Sequence, residues 1–324
     1  MKAIVATKYG APDVLQLQEV VKPTPKDNEI LVKVHASSAT TADGMMRTGK
    51  PYFGRLLTGI TKPKNPITGT GFAGVVESAG KEVTLFKAGD EVFGETALGF
   101  GANAEYVVVP ENGVITEKPE DLSFAEAAPL CDGALTSMNF LKNLARIKPG
   151  QSILIIGASG SLGTSAVQLA KAFGAEVTGV CSTSNVNMVT SLGADKVIDY
   201  SKEDFTKNGE VYDIIYDTIG KSSFTRVKRS LATEGLYISP VLGFKLLLQM
   251  AWTSITKQVK KAKFSATGLL PHEELRFFLE ELKQLISQKQ LKSVIDKQYP
   301  LEEVAVAHDY IRMGHKKGNV VISH

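Results

Sequence analysis

Residues 153–163 read ILIIGASGSLG and run straight into the alanine-rich segment from Thr164 to Phe173. An apolar β-branched run, a glycine turn and an amphipathic segment in immediate succession form the front end of a dinucleotide-binding fold. Gly160 lets the backbone come close to a pyrophosphate, Gly163 lets the helix pack on the strand, and the helix N-terminus offers N–H groups to the anion. The first glycine of the usual fingerprint is Ala158 here, with Gly157 before it, so the turn is a variant and its context carries the reading. A strand precedes the turn, a helix follows, and Ala175–Cys181 (AEVTGVC) reads as the next strand of a βαβ unit. The bland alternative is a glycine turn in some other α/β protein.

The end of that second strand bears on which nucleotide fits. An NAD site places Asp or Glu about 20 residues past the glycines, where the carboxylate takes the ribose hydroxyls and repels a phosphate. Ser182, Thr183, Ser184 and Asn185 stand there instead. Neutral hydrogen-bonding side chains without an acid suit a 2′-phosphate, so NADPH is the expected cofactor. Lys196 is the candidate positive charge, with a solvated surface lysine as the alternative.

A chain of 324 residues is long for one core, which points to two domains. Hydrophobic content of 43% and charged content of 22% are those of a globular protein. A net charge of +3 decides nothing about nucleic acid, because binding depends on clustered basic patches; no nucleic-acid partner is expected. The two cysteines, Cys131 and Cys181, lie far apart without CxxC spacing, which argues against a disulfide framework or structural zinc and for a reducing, cytoplasmic setting. MKAIVATKYG turns polar too soon for a signal peptide, and no apolar run reaches the roughly 20 residues of a membrane span.

Short β-like runs mark the first 120 or so residues: Lys2–Ala6, Glu29–Ala36, Phe72–Ser78, Glu91–Glu95 and Ala104–Pro110. Helical spacing follows from Ser123 to Leu144, and beyond the glycine turn Lys196–Asp199, Tyr212–Tyr216 and Leu236–Pro240 are strand candidates of a doubly wound parallel sheet. Leu301–Met313 reads as a helix, broken by residues 314–319 before a last strand at Val320–Ile322. Residues 241–261 are the odd stretch, since VLGFKLLLQMAWTSI is strongly apolar and QVKKAK after it is basic. It reads as a buried helix with a solvated end; the alternative is a helix for a membrane surface or a greasy substrate.

With these residues laid out, the chain resembles the medium-chain dehydrogenase/reductase superfamily, and within it the zinc-free quinone oxidoreductase branch that includes zeta-crystallin. The likeness rests on the opening KAIVATKYGAPDVLQL, on DGMMRTG from Asp43 to Gly49, and on AGDEVFG at 88–94 and AEAAPLCDGALTS at 125–137. It continues through GASGSLGTSAVQLAKAFGAEVTGVCSTS at 157–184, GADKVIDY at 193–200, YDIIYDTIG at 212–220 and the ending HKKGNVVI. The resemblance implies an α/β architecture: a Rossmann doubly wound parallel sheet (123–266) inserted into a GroES-like, mainly β catalytic domain made of 1–122 and the return at 267–324. It places the active-site cleft between the domains and implies a homodimer.

It also implies roles for single residues. Ser159, Gly160, Ser161, Leu162 and Gly163 match the pyrophosphate loop, Ser182 the residue meeting the adenosine phosphate, and Tyr200 the aromatic lying against adenine. Thr136 matches a hydroxyl near the nicotinamide, and Leu242, Gly243, Phe264 and Ser265 fall where later loops approach the same ring. Many relatives carry Arg at the position of Ser184, a departure that bears on the NADPH preference. Thr40, Thr41, Arg47 and Tyr52 are the side chains expected toward the acceptor; Thr40 and Tyr52 are the catalytic candidates, the phenol having the chemistry of a proton donor to an enolate carbon.

Zinc-dependent relatives bind catalytic metal through Cys, His and Cys, with a Glu beside the His; those places are Thr40, Thr70, Cys131 and Gly71 here. One thiolate is not a catalytic zinc site, so no metal is expected. Without a Lewis acid, hydride addition to a simple ketone leaves an alkoxide unstabilised, whereas a quinone or α,β-unsaturated carbonyl spreads the charge over a conjugated oxygen. The leading expectation is an NADPH-dependent, zinc-independent reductase of quinones or similar activated carbonyls. A 2-alkenal or enoyl double-bond reductase is the second. An NADPH-binding interaction protein with vestigial activity, directed at RNA or a membrane surface through Lys257–Lys263 (KQVKKAK), is the third.

Overall fold

The computed structural model describes residues 1–256 and 258–324, leaving aside the side chain of Leu98. The chain divides into two compact units, Met1–Leu135 with Gly268–Ser287 and Ser293–His324, and Thr136–Thr267 with Gln288–Lys292.

The first unit holds strands β1 (Lys2–Val5), β2 (Gln16–Glu19), β3 (Glu29–Ala39), β4 (Gly71–Ala79), β5 (Glu91–Glu95), β6 (Tyr106–Pro110) and β7 (Val114–Glu117). Helices α1 (Thr41–Thr48), α2 (Arg55–Thr58) and α3 (Phe124–Ala127) lie among and after them. Strand β3 is the hub: it pairs antiparallel with β4 and β6, and one face of it buries Ile30, Val32 and Val34 against Phe72, Val92, Val107 and Ile115. Period-2 alternation thus builds the core directly from the sequence pattern. The unit runs past the boundary expected at 122, because α3 and the turn at Ala128–Cys131 bury their residues on this unit's side of the division.

The second unit contains α4 (Gly133–Met138) from Thr136 on, then β8 (Ser152–Ile156), α5 (Ser161–Ala172), β9 (Glu176–Cys181), α6 (Val186–Ser191), β10 (Lys196–Asp199) and β11 (Tyr212–Asp217). It ends with α7 (Phe224–Val227), β12 (Leu231–Ile238), α8 (Phe244–Ile255) and β13 (Lys261–Lys263). All six strands are parallel, in the order β10-β9-β8-β11-β12-β13. Strand order therefore reverses at β8, where successive strands leave in opposite directions, and a doubly wound sheet binds its ligand at such a switch point. Ile153, Leu154 and Ile155 of β8 are wholly buried, as a central parallel strand covered on both faces requires.

The chain then returns to the first unit. Helix α9 (His272–Ser287) buries Leu275, Phe278, Leu279, Leu282 and Ile286 at helical spacing, and Lys283 donates to Thr116 of β7 at 3.0 Å. Strand β14 (Ile295–Pro300) pairs with β15 (Asn319–Ser323), and β15 lies antiparallel against β3. Between them α10 (Val304–Arg312) buries Val304, Ala307, His308 and Ile311. A Rossmann sheet is thereby inserted into a GroES-like sheet that the C-terminus completes.

One expectation is overturned here. Helix α8 is not a buried helix: Phe244, Leu247, Leu248, Trp252 and Ile255 are exposed, and only Leu246, Gln249 and Thr253 are buried. Lys257, in the basic run after it, lies outside the described residues.

The tightest constraint in the second unit is at α5. A Cβ on Gly163 would lie 2.1 Å from the carbonyl oxygen of Gly157 and 2.7 Å from the backbone of Ala158, neither of which is a movable side chain. Although alanine is the better helix former, Gly163→Ala is expected to destabilise the protein by about 1–3 kcal/mol, read as a lower urea midpoint at unchanged slope; an unchanged midpoint would show that α5 has room to move.

Candidate cofactor and acceptor sites

The glycine turn is held in place by β9: the N–H groups of Gly157 and Ala158 both donate to the Val180 carbonyl, at 3.1 and 3.0 Å. Gly157 is left-handed (φ +80°), and a Cβ there would strike Ile219 and Thr218, so this glycine is required by both φ and space. Gly160 is different. Its backbone is extended, and an added Cβ would meet the protein only at 3.5 Å, an ordinary contact, so nothing in the protein itself excludes a side chain there. Close approach of a ligand is the remaining physical reason for glycine. Ser161, Leu162 and Gly163 form the first turn of α5, whose amides have no intrahelical acceptor and favour an anion. Around the turn, Ser159 accepts from Asn185 at 3.0 Å and the Leu162 carbonyl accepts from Ser137 at 3.0 Å. Thr218 donates to the Ile156 carbonyl at 2.8 Å, tying the ends of β11 and β8 at the switch point. These residues fit a dinucleotide pyrophosphate.

At the end of β9, Ser182 and Ser184 bring their hydroxyls to 3.4 Å of each other. Tyr200 is 60% exposed, its ring open to a stacking partner, while its N–H is fixed to the Cys181 carbonyl. An acid does stand close by, on the neighbouring strand: Asp199 accepts from Thr183 at 2.6 Å and Ser201 at 2.7 Å, bonds that pull its carboxyl down to about 2. Lys202 sits 3.6 Å from that carboxylate. Lys196, in contrast, is no part of this cluster. It begins β10 opposite Thr178, whereas Asp199 ends the strand opposite Cys181, and its ammonium pairs with Glu210. Lys202 occupies the end of the sheet at which Lys196 was expected.

Of the residues expected near the nicotinamide, Leu242 and Phe264 pack on the apolar core of the second unit. Ser265 accepts a hydrogen bond from Asn139 at 3.0 Å, and Thr267 takes the same amide at 2.9 Å. Gly243 caps α8 with open space around its Cα, and Thr136 is half-buried on α4.

In the first unit, Thr40 caps α1. Its hydroxyl donates to Asp43 at 2.8 Å and accepts the Asp43 N–H at 3.1 Å, while Asp43 accepts the Thr40 N–H in return. The other Asp43 oxygen, Oδ1, is buried without a partner beside a pocket of about 30 Å3 lined also by Arg47, Thr58, Asn65, Thr68 and Phe100. That is room for about one water. Burial, with the charge of Asp132 adding, pushes the Asp43 carboxyl up to about 7. Arg47 is a structural residue, buried with its guanidinium on the Gly10 carbonyl. Tyr52 lies apart from this cluster: it is 66% exposed, with the Arg55 guanidinium 4.9 Å from its ring. Thr41 is exposed as well.

A second acid lies beside Thr70 and Cys131, two of the places that zinc ligands occupy in relatives. Asp132 accepts from Ser38 and, at 3.1 Å, from Thr70. A Cβ on Gly71 would stand 2.5 Å from the Asp132 carboxylate and 2.6 Å from the Ser38 hydroxyl, so glycine makes the space that this pair occupies. Cys131 is wholly buried, and desolvation followed by the charges of Asp132 and Glu95 holds its thiol well above its ordinary range, hence protonated. Glu95 is likewise raised, by burial and by Asp132 and Asp43. Two threonines and a single thiol do not fit zinc, and among the described residues no three of His, Cys, Asp and Glu are grouped to hold a metal. Asp132, Ser38 and Glu95 escape a reading of the sequence because they meet only through strand pairing; their signal is an acid directly after the cysteine where relatives place a metal ligand.

The raised Asp43 carboxyl has a signed consequence. Its folded-state value near 7 lies above the unfolded value of 3.8, so it contributes stability below pH 4 that is lost as pH rises toward 7. Asp43→Asn, which titrates in neither state, is expected to gain a few kcal/mol relative to wild type between pH 4 and pH 7. Parallel pH curves of urea stability for the two proteins would contradict a raised Asp43.

Comparison with known proteins agrees with this architecture. Residues 26–120 match the alcohol dehydrogenase GroES-like domain family and residues 192–322 the zinc-binding dehydrogenase family. A chloroplastic quinone-oxidoreductase homolog of Spinacia oleracea is 34% identical, over 99% of this chain and 98% of its own length. A 2-methylene-furan-3-one reductase of Solanum lycopersicum is 33% identical over 99% of this chain and 79% of its own. The Escherichia coli quinone oxidoreductase, solved in complex with NADPH, superimposes with a TM-score of 0.86 at 26% identity, each chain covered completely. The chain is thus an oxidoreductase of the nicotinamide-dependent kind, and it belongs to the quinone oxidoreductase branch of the medium-chain dehydrogenase/reductase superfamily.

Proposed function

We propose that this enzyme is an NADPH-dependent reductase that works without zinc and passes hydride to quinones or similar conjugated carbonyl acceptors. The observation that carries the reading is the donor set at the places of the relatives' zinc ligands: Thr40 and Thr70 stand there with their hydroxyls engaged by Asp43 and Asp132, and only Cys131 is a metal-ligand type. NADPH supplies the hydride. The chain's own residues bind and orient: the first turn of α5 holds the pyrophosphate, Ser182 and Ser184 with the Lys202 ammonium hold the 2′-phosphate, and Tyr200 stacks on adenine. An acceptor whose reduction delocalises charge needs placement more than a Lewis acid, and orientation supplies much of the barrier reduction. The proton can come from Asp43, whose Oδ2 accepts from Thr40 and whose other oxygen, Oδ1, is left to carry the proton near neutrality.

A second reading, reduction of a conjugated carbon–carbon double bond, is favoured by the likeness to the tomato furanone reductase. There the exposed Tyr52 phenol is the donor to the enolate carbon, and Tyr52→Phe separates the readings: alkenal turnover falls while quinone turnover holds.

The test is oxidation of NADPH and NADH against a quinone, a 2-alkenal and a simple aldehyde, with and without a chelator. The reading predicts chelator-insensitive turnover of the quinone with NADPH and none of the aldehyde; stoichiometric zinc or loss of activity on chelation overturns it. Ser182→Asp, which puts a carboxylate at the end of β9, is expected to raise KM for NADPH roughly tenfold or more while sparing NADH. An equal effect on both nucleotides would remove Ser182 from the 2′-phosphate site.

A further inference from the structure

The loop that leaves β11 is folded around its own acid. Asp217 ends that strand with 0% of its surface exposed. Its Oδ1 accepts the Ile219 and Lys221 N–H groups, each at 3.3 Å, and its Oδ2 accepts the Ser222 N–H at 2.7 Å and the Tyr237 hydroxyl at 3.0 Å. All of these donors are neutral. A buried carboxylate is costly unless it is hydrogen-bonded, and backbone amides converging on an anion meet that cost. Burial, and then the charge of Asp217, raise the Tyr237 phenol above its ordinary range, so it remains a donor.

The same residue ties two loops together. Its carbonyl accepts from the Ser239 hydroxyl at 2.8 Å, and that hydroxyl accepts the Val241 N–H at 3.3 Å, directly before Leu242 and Gly243. Gly220 lies so near Val241 that an added Cβ would come within 2.7 Å of it. On the other side Thr218 donates to the Ile156 carbonyl, and a Cβ on Gly157 would stand 2.7 Å from Ile219. Residues 218–222 are therefore a fixed arch between the glycine turn and the loop after β12. The order β10-β9-β8-β11-β12 puts Ser182 and Tyr200, which follow β9 and β10, on one side of the switch point and the arch on the other.

We propose that Asp217 is a positioning residue for the nicotinamide half of the cofactor. Its carboxylate sets the arch, and its carbonyl, through Ser239, sets the loop that ends at Leu242 and Gly243, so this half of the nucleotide meets a wall already formed. A preformed wall spares the cost of ordering two loops on binding. The proposal rests on the dinucleotide lying across the switch point, with its adenosine half at Ser182 and Tyr200.

Two titrations test it: NADPH, followed by nicotinamide fluorescence, and its adenosine half 2′,5′-ADP, followed by calorimetry. Asp217→Asn turns one acceptor oxygen into an amide that faces donors. It is expected to weaken NADPH about tenfold or more while 2′,5′-ADP binds as it does to wild type. Tyr237→Phe removes a single donor and keeps the ring, so it tests the proposal even where Asp217→Asn does not fold; it is expected to weaken NADPH about fivefold with the same split between whole and half nucleotide. Wild-type affinity for NADPH in the folded variants overturns the proposal. So does a matching loss of NADPH and 2′,5′-ADP, which would make Asp217 a brace of the whole unit. NADH and AMP run as a second pair: a wild type that prefers NADH removes the 2′-phosphate reading, and the split between NADH and AMP then decides on Asp217. A wild type that binds no nucleotide at all overturns the cofactor placement and the proposal together.

Discussion

The close approach of α5 to the glycine turn fixes what the second unit can do. With only hydrogen atoms at Gly163, the helix comes down on the Gly157 carbonyl, and its first turn faces the ligand position at the C-terminal ends of β8 and β11. Every nucleotide contact proposed for this chain depends on that placement. The first turn of α5 follows directly on the turn after β8, and Ser182 and Tyr200 end up near each other because β9 and β10 pair in parallel beside β8. The packing constraint is thus also the binding constraint. Gly163 serves the first directly, whereas Gly160 is free of protein contacts that would demand it.

The first unit is arranged around buried acids. Asp43, Glu95 and Asp132 are brought together in a site where burial disfavours their charges, so protons are retained that a solvated carboxylate would lose. The hydroxyls of Ser38, Thr40 and Thr70 take up part of the hydrogen-bonding capacity. What results is a proton-bearing polar nest of carboxyls and hydroxyls.

How much of this was legible in the sequence depends on the range of the interaction. The glycine turn, the alternation of β3 and the parallel strand candidates are local patterns and were read to within a few residues. Helix α9, with Leu275, Phe278, Leu279, Leu282 and Ile286 at helical spacing, carries a local pattern of the same kind, whereas β14 is a half-exposed strand with little pattern. Lys196 was misplaced because distance along the chain from the glycines does not tell which end of β10 a side chain occupies; only the register does. Helix α8 defeated the rule that apolar residues go inside, since composition counts Leu and Trp without saying which face Gln249 and Thr253 anchor. The pairing of Asp132 with Ser38 and Thr70 joins positions 94 and 62 residues apart and has no local trace.

The central claim is that the turn before α5 is a cradle for a dinucleotide and that Gly160 is glycine for the ligand's sake alone. Titration of NADPH against wild type and Gly160→Ala, followed by nicotinamide fluorescence, tests it most directly, with thermal unfolding of the apo proteins alongside. The account predicts unchanged unfolding and an affinity at least about tenfold weaker in the variant, since a methyl group would stand where the pyrophosphate meets the backbone. Equal affinity in a variant that folds normally would contradict it.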